Sequence, residues 1–269
     1  MDIIKASGNT TPFKKSHIEQ SAIRAGATKQ YAKEVAKKVE KSTKQGMNTK
    51  QILELTLNSM KNKPEIAARY NLKQAIMLLG PSGFPFEEFL SQVLQNYGYK
   101  TITGSFVKGK VVNQEIDIIA TKTKTSMIEA KYHNQPGLRT NTKVAMYTYA
   151  RFLDIKSNPK KKFDEAWLIT NTKCTSSAIQ YAGGVNLKII AWKYPHNQNL
   201  EQLIEKKGLY PITLIQNLPS NIKHKLFQAK IVLLKDLANH TIEELSTKTK
   251  LNKNILEGIL SQAKNICKY

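Results

Sequence analysis

Cysteine is nearly absent from this chain. The two in 269 residues, Cys174 and Cys267, share no CxxC spacing with each other or with a histidine cluster. Neither a structural zinc site nor a disulfide framework is expected. Acidic residues are scarce too: 20 Asp plus Glu stand against 42 Lys plus Arg, a formal net charge of +22. Arginine is rarer still, with Arg24, Arg69, Arg139 and Arg151 the only four. Long apolar runs are missing. No window reaches the roughly 18 uncharged apolar residues of a membrane span. Met1 to Gly8 has no apolar h-region of a signal peptide. A cytoplasmic protein with no membrane partner is therefore expected. No internal repeat or low-complexity tract stands out.

Apolar residues supply 41% of the chain, enough for ordinary cores, so this is not a disordered basic tail. A +22 excess predicts a polyanionic partner, because each neutralised phosphate releases counterions. Lysine dominates that excess, whereas base edges are read best by arginine forks. The composition therefore suggests contact with a nucleic-acid backbone more than sequence reading.

Turn chemistry divides the chain into three segments. Gly80-Pro81-Ser82-Gly83-Phe84-Pro85 reads as a linker, and Tyr194-Pro195-His196-Asn197 with Tyr210-Pro211 as a second connection. The expected domains are 1–80, 84–194 and 211–269, with the positive charge spread over all three. The first segment reads as a short strand at Ile3-Ile4-Lys5, a turn at Ser7-Gly8-Asn9, and helices. Ser16 with Glu19 and Asn48 with Gln51 have the spacing of capping boxes. Helices are expected through Ala25, over Tyr31–Lys44, after Asn48, and over Leu72–Leu79.

In the middle segment an amphipathic helix is expected over Phe86–Tyr97, with Phe86, Phe89, Leu90, Val93 and Leu94 on one stripe. Strands are expected over Thr101–Val107, Val111–Ala120, Ser126–Tyr132, Ala166–Thr170 and Leu187–Trp192, and a helix over Lys143–Leu153. The last segment reads as helical, with Thr241 and Glu244 spaced as another capping box. Leu214, Leu218, Leu226, Leu233, Leu237, Leu245, Leu251, Leu256 and Leu260 are its candidate core. The overall class is α+β: a central mixed sheet flanked by a mainly helical N-terminal domain and a helical C-terminal domain.

The chemistry concentrates in Glu115-Ile116-Asp117-Ile118-Ile119 and Met127-Ile128-Glu129-Ala130-Lys131. Strand side chains alternate faces, so Glu129 and Lys131 share one. Asp117 interrupts an apolar strand, where a carboxylate is costly unless it is paired or holds a metal. A hairpin centred on Thr121 to Thr125 sets Asp117 beside Glu129. Two carboxylates can hold a hard divalent ion through oxygen. Such an ion polarises a phosphoryl group and acidifies a bound water. A nearby lysine offsets the developing charge. Glu87 on the preceding helix is a candidate third carboxylate, with Glu88 the neighbouring alternative. After Lys131, His133, Arg139 and Lys143 are candidates for DNA phosphate contact, with a solvated loop and helix face the alternative. Lys160-Lys161-Lys162 reads as a solvated loop.

The spacing of Asp117 to Glu129-Ala130-Lys131 resembles the PD-(D/E)XK nuclease signature. Phe86-Glu87 opening a helix, Gly98-Tyr99 ending it, the Glu115-to-Ala120 strand and the Thr170-Asn171 strand end resemble its Mrr-like restriction endonuclease branch. The resemblance spans about residues 84–194. It implies Asp117 and Glu129 as metal ligands, Lys131 as the catalytic lysine and Glu87 as the helix carboxylate. Many members of that branch carry Gln where Glu129 stands. The implied activity is endonucleolytic cleavage of double-stranded DNA with Mg2+, or Mn2+ in its place, by an expected homo-oligomer. Two alternatives stand beside it: a nucleotide-responsive DNA-binding regulator with a silent nuclease fold, and a repair nuclease acting on junctions or flaps.

The first segment resembles an ATP-cone through Ile4-Lys5-Ala6-Ser7-Gly8, Pro12-Phe13, Ile18, Ala22-Ile23 and Ala67-Ala68-Arg69-Tyr70. That likeness implies ATP or dATP as an effector. Lys5 and Gly8 are the candidate contacts, since a lysine beside a glycine turn suits a phosphate. Ala6-Ser7 and His17 depart from the family's pattern. A helical module for DNA or protein contact is the other reading. The last segment looks like a helix-hairpin-helix module around Thr241–Leu245 and Leu251-Asn252, with Lys250 where the hairpin glycine is usual. A small packing or oligomerisation domain is its alternative.

Overall fold

The computed structural model describes residues 1–80, 83–160 and 162–268. Pro81 and Ser82 of the expected linker and Lys161 of the expected lysine loop lie outside the described residues. In chain order, β1 (Asp2–Ile4) and β2 (Thr10–Pro12) are followed by α1 (Lys15–Arg24), α2 (Lys29–Ser42), α3 (Thr49–Ser59), α4 (Pro64–Tyr70) and α5 (Leu72–Met77). Then come α6 (Phe84–Asn96), β3 (Lys100–Lys108), β4 (Asn113–Thr121), β5 (Thr125–Lys131), β6 (Arg139–Thr140) and α7 (Thr142–Lys156). Next are β7 (Glu165–Thr170), β8 (Lys173–Cys174), α8 (Ser176–Gly184), β9 (Lys188–Ile190) and α9 (Leu200–Lys206). The chain ends in α10 (Ser220–Gln228), α11 (Leu234–Asn239), α12 (Ile242–Thr249) and α13 (Lys253–Cys267).

These elements form two compact units where the sequence suggested three. Residues 1–78 join those from 210 onward, and Leu79–Leu209 form the other. The physical reason for the union is visible at Arg69, which is buried. Its Nε donates to the Ala25 carbonyl at 2.7 Å and its Nη1 to the Ile266 carbonyl at 3.0 Å. A buried guanidinium is stable only with such partners. Thr213 Oγ1 donates to the Ala75 carbonyl at 2.6 Å, a second tie between the chain's two ends.

In this first unit β1 and β2 pair antiparallel around the Gly8 turn. Ile18, Ala22, Val35, Val39, Ile52 and Met60 form a core among α1, α2 and α3. The Asn48–Gln51 and Thr241–Glu244 capping boxes are both made. Ser16 does not cap: α1 starts at Lys15, with Lys14 as a residue lacking a side-chain cap. Nearly all the expected leucines of the last segment are buried, Leu226, Leu237, Leu245 and Leu256 completely, while Leu218 is half-exposed.

The second unit is built on a five-stranded mixed sheet in the order β3-β4-β5-β7-β9. β3, β4 and β5 run antiparallel, and β5, β7 and β9 run parallel. The antiparallel half arises from two tight hairpins, at 109–112 and 122–124. The parallel half needs crossovers, which α7 and α8 supply. α6 buries Phe86, Phe89, Leu90 and Val93 completely, about 1.5–3 kcal/mol for each side chain. Ser91 and Thr101 share a hydrogen bond of 2.8 Å between α6 and β3. α7 and α8 contribute Ala145, Phe152, Ile155, Ala178 and Ala182 to a core with Met127, Ala166, Leu168 and Ile189 of the sheet.

Candidate active site

The β4–β5 ladder ends at the pair Ile118 and Ile128. One residue further stand Asp117 and Glu129. Here a side chain takes over from the backbone: Asp117 Oδ2 accepts from the Ala130 amide at 2.7 Å. The strands thus part where the two carboxylates meet. Burial pushes Asp117 up to about 6, and the neighbouring Glu129 charge adds to the rise. The Ala130 amide and the Arg151 guanidinium pull the other way.

Glu129 is buried, and both its oxygens accept hydrogen bonds from α7. Tyr147 Oη donates to Oε1 at 2.5 Å, and Arg151 Nη1 donates to Oε2 at 2.5 Å. Tyr147 and Arg151 are four residues apart, so helical geometry places them on one face. Burial and the Glu129 hydrogen bond both drive the Tyr147 hydroxyl far above its ordinary range. Lys131 lies two residues beyond Glu129, half-buried at the end of β5 and paired with Thr170 of β7.

Glu87, in the first turn of α6, joins this group. Its pKa is pushed up to about 7, first by burial and then by the charges of Asp117, Glu115 and Glu129. Gly83 lies against it: a Cβ at Gly83 would stand 3.0 Å from Glu87 Oε1. Glu88 turns inward, buried, and accepts from Gln92 Nε2 at 3.0 Å. The structure therefore brings Glu87, Asp117 and Glu129 into one electrostatic cluster, with Lys131 on the same strand as Glu129.

The other expected site residues are placed differently. The His133 ring bonds Thr140 Oγ1 at 3.0 Å through Nε2, and its amide bonds Asn171 Oδ1 at 2.9 Å. Thr140 in turn bonds Thr170. His133 is thus a tie between the loop and the ends of β6 and β7. Arg139 and Lys143 are exposed, on β6 and α7. In the N-terminal turn, the Lys5 amide bonds the Asn9 carbonyl and the Gly8 amide bonds the Lys5 carbonyl, both at 2.9 Å. Gly8 has φ +82°, which suits a residue without Cβ. Both of these amides are used inside the turn, while the Lys5 side chain is exposed.

Tyr147 and Arg151 were not expected from the sequence as hydrogen-bond partners of Glu129. Their spacing of four was the available signal, since a buried carboxylate must find donors and α7 follows it in the chain. Glu115 was likewise not expected to contribute to the cluster's electrostatics.

The donor set suits a hard cation. Among the described residues no group of three or more His, Cys, Asp or Glu side chains is placed to hold a metal ion. Mg2+ commonly takes only one or two carboxylates and completes its shell with water and substrate phosphate. Asp117 and Glu129 meet that requirement, and their mutual repulsion is what a cation relieves. Among the described residues, no helix is long and apolar enough to cross a membrane.

Residues 79–203 match the Mrr-type family described as restriction endonuclease. Residues 210–267 match the family described as AF1548-like, C-terminal. An uncharacterized protein of Archaeoglobus fulgidus is 37% identical over 178 residues, covering 66% of this chain and 99% of that one. The crystal structure of AF1548, a protein of unknown function, superposes with a TM-score of 0.62 at 36% identity, over 68% of this chain and 96% of that chain.

Proposed function

We propose, from the premise that the chain belongs to the AF1548-like family with its Mrr-like restriction endonuclease domain, that it is a divalent-cation-dependent endonuclease acting on double-stranded DNA. The observation that carries this reading is the parting of β4 and β5 at Asp117 and Glu129, with Asp117 bonded to the Ala130 amide at 2.7 Å. That geometry presents two carboxylates together at the sheet, with a lysine two residues on.

Asp117 and Glu129 would hold Mg2+, or Mn2+, which supplies Lewis acidity at the scissile phosphate and an acidified water. Lys131, two residues beyond Glu129 on β5, would offset charge developing on the phosphate. Glu87, with its pKa near neutrality, is suited to hold or release a proton beside the site. Tyr147 fixes the Glu129 carboxylate by its hydroxyl. The +22 charge supports attraction to DNA through the backbone. Arg139 and Lys143 are exposed basic groups on β6 and α7 that would contribute to it.

The test is plasmid DNA incubated with Mg2+, comparing the natural protein with Asp117→Ala. Cleavage by the first and loss of cleavage with retained DNA binding by the second are expected. Equal cutting by both rejects the site. One observation favours a second reading, a DNA-binding regulator with a silent nuclease fold: both Glu129 oxygens are engaged by Tyr147 and Arg151. That reading requires salt-sensitive DNA binding without strand breaks in Mg2+ or Mn2+. An ATP or dATP effector at Lys5 and Gly8 is a further part of the proposal. It is tested by repeating the plasmid assay with ATP on Lys5→Ala.

A further inference from the structure

Tyr147 and Arg151 hold the same carboxylate but differ in what they allow it to do. A carboxylate offers about four lone-pair positions, two on each oxygen. The Tyr147 hydroxyl is neutral and takes one of them on Oε1, leaving room for a cation. The Arg151 guanidinium brings a full positive charge to Oε2 at 2.5 Å. A divalent cation on Glu129 and this guanidinium repel each other across a few ångströms in a partly buried site, where screening is weak. They are rivals for one carboxylate.

Arg151 has somewhere else to go. Its side chain keeps 22% of its surface in solvent. It is one of only four arginines in a chain that otherwise uses lysine. A guanidinium matches a phosphate with two parallel donors, which an ammonium does not. It also sits beside the group where a scissile phosphate would be handled. We propose that Arg151 exchanges Glu129 for a phosphate of the DNA backbone, so that DNA and the divalent cation bind cooperatively. This rests on Asp117 and Glu129 being the cation-holding pair. The exchange conserves charge pairing at each step: Glu129 passes from one cation to another, and Arg151 passes from a carboxylate to a phosphate. The site is then loaded fully only with substrate present.

The experiment is a Mn2+ titration of the full chain followed by electron paramagnetic resonance. It is done alone and with a short phosphorothioate duplex that resists cleavage. In the natural protein the duplex should tighten Mn2+ binding about tenfold, a usual size for coupled sites. Arg151→Met should bind Mn2+ more tightly than the natural protein without DNA, and the duplex should then change that affinity by less than about twofold. Arg151→Gln gives the same readout should the Met variant fail to fold by circular dichroism. Tyr147→Phe should keep the coupling. Unchanged or weaker Mn2+ binding in both Arg151 variants without DNA, or undiminished coupling, overturns the proposal. Natural-strength Mn2+ binding by Asp117→Asn would instead overturn the cation site itself, and the proposal with it.

Discussion

Gly109 and Asp154 fit each other without room for a methyl group. A Cβ at Gly109 would stand 2.1 Å from Asp154 Oδ2 and 2.9 Å from the Val112 carbonyl. The close approach lets one α7 carboxylate hold the whole β3–β4 turn. Asp154 accepts from the Val111 amide at 2.8 Å and from Gln114 Nε2 at 2.8 Å. These donors hold its carboxyl below the usual range.

Gly109→Ala should therefore destabilise the nuclease unit by about 1–3 kcal/mol, the usual cost of inserting a methyl group into filled space. Differential scanning calorimetry reads this as a lower melting temperature. An unchanged melt would mean that the turn shifts freely around the new methyl.

The raised carboxyls give a pH signature. Glu87 lies at about 7 and Asp117 at about 6, against unfolded values near 4. Between about pH 4 and pH 7 the folded protein keeps protons that the unfolded chain has released, so stability falls as pH rises through that window. The fall should be on the order of 2 kcal/mol, after discounting for the solvent around Glu87. Glu87→Gln should flatten the curve and raise the melting temperature at pH 8, as should added Mg2+. A melting temperature that climbs from pH 5 to pH 8 contradicts the electrostatics of this cluster.

Arg69→Ala should cost the first unit about 3 kcal/mol, because the Ala25 and Ile266 carbonyls lose a charged donor in a buried place. Hydrogen exchange measured by mass spectrometry should show α4 and α13 losing protection together. Protected amides in both helices would show that apolar packing alone joins them.

Lys131→Ala should lower cleavage by about a hundredfold or more, the scale for removing a preorganised charge at a phosphoryl centre. DNA affinity in a gel shift should stay within about twofold, since one lysine among many backbone contacts contributes little. A loss confined to affinity would make Lys131 a binding residue only.

Lys250 stands in the left-handed region with φ +55° at the end of α12. A side chain there costs about 1 kcal/mol relative to glycine. Lys250→Gly should therefore raise the melting temperature by a few degrees, on the usual relation between such an energy and a domain of this size. A decrease would show that the lysine side chain contributes more than the backbone loses.

Local chemistry made much of this fold legible in the sequence. Apolar alternation gave β3, β4 and β5 close to their observed bounds, and the Asn48 and Thr241 boxes marked two helix starts. The Asp117–Glu129 pairing followed from a short hairpin between two strands of fixed side-chain period. The Ser16–Glu19 spacing misled, because the same pattern fits inside a helix once Lys14 takes the cap position. α4 was missed, being a short helix of seven residues with little periodicity to show. The bond from Arg69 to Ile266 spans 197 residues, a separation that no local pattern encodes. Tyr147 and Arg151 were visible as residues but not as partners, since only the folded sheet brings Glu129 under α7.

That long-range bond orders events during synthesis. The first helices leave the ribosome well before the carbonyl that Arg69 needs has been made, while every residue of the intervening nuclease unit is already present. Translation therefore completes the chain of the second unit first, and the first unit must wait for the last helix. A message cut short before α13 would yield a chain with every residue of Leu79–Leu209 but an unfinished first unit, a natural target for proteolysis.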